Sequence, residues 1–179
     1  MIRFNFAYIK MNTKTEGPYN RCCIWFQGCN IRCPECCNKS LQELTLNHII
    51  SLEQLIEIVK QAQTEFKIEG ITLTGGEPSI QTGLRQFNNE IRKLGLGIIM
   101  FSGKYKEEIN PDLVASVDLL IDGPFINKDI DNQRLLIGSK NKKLTLVTDR
   151  YKNDLYYFDT DVALEEISVE EEYVFVNGD

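Results

Sequence analysis

Apolar residues recur at helical spacing in two stretches of the chain. Leu52, Leu55, Ile56, Val59, Ala62 and Phe66 make one stripe, with Glu57, Lys60 and Glu65 outside it, so residues 51–66 are predicted to be helical. Ser51 and Gln54 stand at capping-box spacing at its start. Leu84, Phe87, Ile91 and Leu94 make the second stripe, ended by Gly95. Around these helices, short β-prone runs at residues 2–8, 21–26, 71–74, 96–101, 117–121 and 144–148 read as strands, with a turn at Glu16-Gly17-Pro18 between the first two. Residues 105–116 are expected to be helical, with an interruption at Asn110-Pro111. Residues 125–143 show no periodicity and many charges. The tail from Tyr151 is acidic, with a solvated turn expected at Glu170-Glu171-Glu172 before a strand at 173–176.

Alternating strands and helices imply parallel βαβ units. With 179 residues, one domain is expected over 1–179, with its motif core at about 15–148 and a short β-rich extension from about 149. A closed eight-stranded α/β barrel takes about 250 residues. The expected fold is therefore an α/β, partial (open) parallel β/α barrel with its site at the carboxyl ends of the strands. The loops after residues 26, 74 and 101 would then share one rim.

The 20 Lys and Arg against 26 Asp and Glu leave a net charge of −6, which argues against non-specific nucleic-acid binding. No apolar run approaches the roughly 20 residues that span a bilayer. The first ten residues lack the apolar segment of a signal peptide. A cytoplasmic location, no membrane association and reduced thiols are expected.

All six cysteines fall between positions 22 and 37. Disulfides would be spread out to close loops, whereas crowded thiols in a reducing compartment point to a metal that takes soft ligands. Cys29, Cys33 and Cys36 can wrap one corner of a cluster from a single loop. A [4Fe–4S] cube normally takes four cysteines, so three leave one iron open to a small molecule. Cys22 and Cys23 lie in a predicted strand and face opposite ways, which makes them core residues. Cys37 directly follows a ligand and is expected to stay free, as are Cys22 and Cys23. A structural zinc site usually needs four ligands, and only Cys33-Pro34-Glu35-Cys36 has knuckle spacing here. A non-catalytic zinc-binding module remains an alternative.

Gly75-Gly76-Glu77-Pro78 follows a predicted strand. By itself it is a tight strand-to-helix turn. Beside a three-cysteine loop it gains meaning, because carbonyl groups and the Glu77 carboxylate can accept hydrogen bonds from an ammonium group. An amino acid chelating the open iron would need such acceptors.

These motifs resemble those of the radical S-adenosylmethionine enzymes and, within them, the activating proteins of anaerobic ribonucleotide reductase. The resemblance runs over about residues 1–145. It rests on Gly17-Pro18, Gln27-Gly28-Cys29, Cys33-Pro34-Glu35-Cys36-Cys37-Asn38-Lys39-Ser40, residues 75–77, the Asp118 to Phe125 segment and, more loosely, Gly138-Ser139-Lys140-Asn141-Lys142. It implies a [4Fe–4S] cluster on Cys29, Cys33 and Cys36. It also implies S-adenosylmethionine bound through Gly75, Gly76 and Glu77, with Ser102 and Asp122 near the nucleoside. No catalytic residue beyond cluster and S-adenosylmethionine is implied. The activity would be reductive cleavage of S-adenosylmethionine and hydrogen abstraction from a glycine of a partner anaerobic ribonucleotide reductase, fed by an external low-potential electron donor. A radical enzyme acting on another peptide or a small molecule shares all these motifs. Residues 125–143 are a candidate docking or gating element, or equally a solvated loop.

Overall fold

Among the described residues, the strands and α-helices follow in the order β1 (Arg3–Thr13), β2 (Arg21–Phe26), β3 (His48–Ser51), α1 (Leu52–Phe66), β4 (Gly70–Gly75), α2 (Leu84–Lys93), β5 (Gly97–Phe101), α3 (Pro111–Val114), β6 (Leu119–Asp122), β7 (Lys143–Leu146), β8 (Glu165–Val169) and β9 (Val174–Gly178). The computed structural model describes residues 1–160, 162, 164–169 and 174–178. The expected Glu170–Glu172 turn and Tyr173 lie outside the described residues.

The capping box forms as expected at the start of α1. The Gln54 amide N–H donates to Ser51 Oγ at 3.2 Å, and the Ser51 N–H donates to Gln54 Oε1 at 3.0 Å. Seven strands make one mixed sheet in the order β3-β1-β2-β4-β5-β6-β7, and β8 and β9 pair as a separate hairpin. Strands β2, β4, β5 and β6 are parallel. Strands β1 and β3 extend one edge antiparallel, and β7 the other.

Several details depart from the expectation. Strand β1 continues to Thr13, and β3 was not foreseen. Strand β7 runs antiparallel because no helix intervenes after β6, and only a parallel return needs a crossover. The helix expected over 105–116 is a 3-10 turn at 106–108 and then the four-residue α3. The Asn110 side chain accepts from Asp112 N at 2.8 Å and so caps a new start at Pro111.

The two faces of the sheet are distinct. Cys22, Ile24 and Phe26 of β2, with Ile71, Leu73, Ile98, Met100 and Leu120, pack beneath α1, α2 and α3. Ile99, Leu119 and Ile121 face the other way, against Ile137, Tyr151 and Phe158. Cover on both faces explains why the parallel strands read as continuous apolar runs.

Register aligns the strand ends. Phe26 pairs with Gly75, Leu73 with Met100, and Phe101 with Ile121. The loops after β2, β4 and β5 therefore leave from one edge, as the strand pattern anticipated. The opposite edge is held by Arg21, whose side chain has no solvent exposure. Its guanidinium donates to Thr72 Oγ1 (2.8 Å), the carbonyls of Pro18 (3.1 Å) and Ile71 (2.6 Å), Glu69 Oε2 (3.1 Å) and the Tyr151 hydroxyl (2.9 Å). Arg150 also donates to Glu69, at 2.8 Å. No helix among the described residues is long and apolar enough to cross a membrane.

Removing a buried, fully engaged cation leaves its partners unsatisfied. Arg21→Met is expected to lower unfolding stability by about 3 kcal/mol, measured as a lower urea midpoint with unchanged slope.

Candidate functional site

The loop that leaves β2 is closed at its neck by main-chain bonds. Gly28 N donates to Leu41 O at 2.9 Å, and Cys29 N donates to Gln42 O at 3.1 Å. Within the loop, Arg32 (φ 55°) and Glu35 (φ 59°) adopt left-handed conformations. Each immediately precedes a cysteine of the Cys29, Cys33, Cys36 set. Such non-glycine conformations cost on the order of 1–3 kcal/mol each and persist where the surroundings over-determine them. Here they bend the chain back twice within a few residues. Cys29 is 8% exposed, and its sulfur accepts from Ile31 N at 3.4 Å; Cys33 and Cys36 are half-buried and Cys37 is exposed.

These four cysteines line one cavity of about 730 Å³. Cys22 and Cys23 lie away from it. Cys22 belongs to the core under the helices, and Cys23 is fully buried on the alternate face of β2. The thiols differ accordingly. Burial pushes the Cys22 thiol up to about 12 and the Cys23 thiol well above its ordinary value. The Cys36 thiol falls to about 6, chiefly because the Cys37 S–H donates to it, and Cys37 rises in consequence. Among the described residues, no three His, Cys, Asp or Glu side chains are gathered around a single ion position. The soft donors stand along a cavity wall instead, and the cavity falls in the size range that takes a drug-sized ligand. A polynuclear cluster fits this donor set.

The Gly75-Gly76-Glu77 turn forms the adjoining wall. A side chain at Gly75, at φ +100°, would strike the Phe26 backbone, and one at Gly76 would strike the Gly28 carbonyl. The glycines are thus needed first for the turn to lie against the neck of the cysteine loop. Gly76 N donates to Phe26 O at 2.8 Å and Glu77 N to Gly28 O at 2.9 Å.

Glu77 has no solvent exposure. Its carboxylate accepts from Ser79 N (3.0 Å), Ser102 Oγ (2.8 Å) and Gly103 N (2.9 Å). It borders the cavity from beneath, as a brace between the turn and the end of β5. The half-exposed groups at this wall are those of Thr74, Gly75 and Gly76.

The structure brings Cys29, Cys33, Cys36, Gly75, Gly76, Glu77 and Ser102 to the one cavity. Ser102 acts on Glu77 and on its own loop, where it accepts from Lys104 N at 3.0 Å. Asp122 stands apart from the described lining. One carboxylate oxygen accepts from Lys106 N (3.0 Å) and the other from Thr145 Oγ1 (3.3 Å), so it braces the rim.

Three further lining residues escaped the sequence pattern: Trp25, Gln42 and Lys142. Trp25 had a readable signal, since it lies on the face of β2 opposite Ile24. Lys142 comes from the irregular stretch after β6. Burial lowers its ammonium's pKa, while Cys33, Cys37, Glu77 and Cys36 oppose that shift. The 125–143 segment is a structured wall. Arg134 Nε donates to Asp131 Oδ2 at 2.6 Å, Leu135 N to Phe158 O at 3.0 Å, and Ile130 bridges to Ser139.

Comparison with known proteins identifies the family. Residues 15–145 match the model of a family described as a 4Fe-4S single cluster domain. The anaerobic ribonucleoside-triphosphate reductase-activating protein of Escherichia coli K12 is 27% identical over 136 residues, covering 71% of this chain and 88% of that protein. The protein of the same name from enterobacteria phage T4 is 27% identical over 140 residues, covering 75% and 88%. A solved structure, QueE from Escherichia coli, overlaps 65% of this chain and 69% of its own, with a TM-score of 0.49 at 14% identity.

Thiolate is the reactive form of cysteine. In reduced, metal-free protein, iodoacetamide near neutral pH is expected to label Cys33 and the Cys36–Cys37 pair readily. Cys22 and Cys23 should resist until the chain is denatured, as peptide mass spectrometry would read.

Proposed function

The chain belongs to the 4Fe-4S single cluster domain family, its cofactor is an iron–sulfur cluster, and from this membership we propose that it is a radical S-adenosylmethionine activating enzyme whose partner is an anaerobic ribonucleotide reductase. The observation that carries the proposal is the meeting of Cys29, Cys33 and Cys36 with the Gly75-Gly76 turn in one cavity. The relatives' names supply the class of partner. In this reading the sheet is the partial β/α barrel of that enzyme class, with the cavity at its carboxyl rim.

Cys29, Cys33 and Cys36 would hold the [4Fe–4S] cluster, one protein ligand short of the usual four. The cluster and S-adenosylmethionine together supply a one-electron reductive cleavage and a radical able to take hydrogen from a glycine. The chain's own residues bind and orient. Main-chain acceptors at Thr74, Gly75 and Gly76 would receive the methionyl ammonium. Glu77, clamped by Ser102 and Gly103, keeps that turn rigid and places negative charge beneath it. Lys142 lines the same cavity and would meet the carboxylate. Trp25 and Phe101 contribute apolar wall, which limits water around a reactive species. Ile130 lines the cavity yet is 44% exposed, so the 125–143 wall is where a partner's glycine segment enters. The electron comes from an external low-potential donor.

Anaerobic reconstitution tests the reading. Wild-type protein should take up about four irons and four sulfides per chain and, once reduced, release 5′-deoxyadenosine from S-adenosylmethionine. With the reductase present, a glycyl radical signal should appear. Cys33→Ala should lose the cluster and Cys22→Ala should keep it. Tightly bound zinc without sulfide would overturn the proposal.

A further inference from the structure

Lys142 reaches the cavity from the residue just before β7, where neither a helix nor a strand holds it. Among the described residues its ammonium has no hydrogen-bond or ion-pair partner. A lysine carries a point charge on a flexible four-carbon stem. Where that charge stands therefore depends on how firmly its main chain is fixed.

Arg134 fixes it. One terminal nitrogen of its guanidinium donates to the Lys142 carbonyl at 3.3 Å, and the other donates to the Lys140 carbonyl at 3.2 Å. The planar group is aimed by its third nitrogen, since Nε donates to Asp131 Oδ2 at 2.6 Å. Asp131 is aimed in turn. Its Oδ1 accepts from Gln133 N at 2.9 Å and from Arg134 N at 3.1 Å, and its side chain is only 5% exposed. The main chains of the two limbs also pair, Asp131 N with Gly138 O at 3.1 Å and Lys140 N with Asp129 O at 2.9 Å. A rigid fork suits this task, because one group engages two carbonyls and one carboxylate at once.

We infer that Arg134, aimed by Asp131, is the positioning residue that fixes the main chain at Lys142 and so sets its ammonium to receive the carboxylate of the ligand's amino-acid moiety. This rests on the reading of the cavity as an S-adenosylmethionine site.

Equilibrium dialysis of anaerobically reconstituted chain tests it, with S-adenosylmethionine compared against its decarboxylated analogue. The ratio of the two dissociation constants reads what the carboxylate contributes, whatever the overall affinity. Lys142→Gln should lower that ratio about tenfold, the size of a lost charge-assisted hydrogen bond. Arg134→Met should lower it several-fold, and the double variant should fall no further than Lys142→Gln alone, because Arg134 acts through Lys142. Asp131→Asn keeps Oδ1 and its turn but releases the guanidinium. It should lower the ratio too, and it carries the comparison if Arg134→Met does not fold. A ratio that stays at the wild-type value in Lys142→Gln, or in Arg134→Met and Asp131→Asn, overturns the inference, even if melting temperatures fall. So does an additive loss in the double variant, or a ratio that rises in Asp131→Asn, since either makes Arg134 an anion contact in its own right. Reconstituted wild type that binds neither compound sinks the reading of the cavity itself, a distinct result.

Discussion

The site depends on one close approach, where the backbone of Gly76 lies against the Gly28 carbonyl. That contact joins the neck of the cysteine loop to the turn after β4. No side chain fits there, and Glu77 N completes the joint by donating to the same carbonyl at 2.9 Å. It is backbone on backbone, so its precision does not depend on side-chain rotamers. Parallel pairing delivers its two halves: β2 and β4 end in register at Phe26 and Gly75. A slip of that register would part the cysteines from the turn.

The two edges of the sheet divide the work. At the amino edge, Arg21 directs its donors to Thr72, Glu69, Tyr151 and two carbonyls. At the carboxyl edge, tight bends of the cysteine loop stand beside a cavity. Arg32 and Glu35 sit at positive φ, and polar groups border a cavity of about 730 Å³. Strain of this kind concentrates at functional positions and is sustained by rigid structure elsewhere. The sheet between the edges supplies that rigidity.

Much of this was legible in the chain itself, for identifiable reasons. The stripe of α1 and its Ser51–Gln54 cap are local signals, and local signals survived folding. The alternation of β2 separates Cys22 from Cys23 in the sequence itself. What failed were features set by distant partners. Strand β3 is four residues long and forms by pairing with β1, and β7 takes its direction from β6 rather than from any local preference. Glu77 and Ser102 reach the cavity as expected, but the hydrogen bond between them comes from separate strand ends and has no local signal. Asp122 ends a strand at the rim, but how its carboxylate is engaged depends on Lys106 and Thr145, both remote in sequence.

Charge gives the site its remaining logic. The chain is acidic overall, and the cavity gathers thiols and a buried carboxylate, so adding further negative charge there is costly unless a cation stands close. Lys142 is that cation. Burial lowers its pKa, and the neighbouring Cys33, Cys37, Glu77 and Cys36 oppose that shift. In the proposed reading, a ligand that presents an ammonium to the Gly75-Gly76 wall and a carboxylate to Lys142 would meet both signs in their existing places.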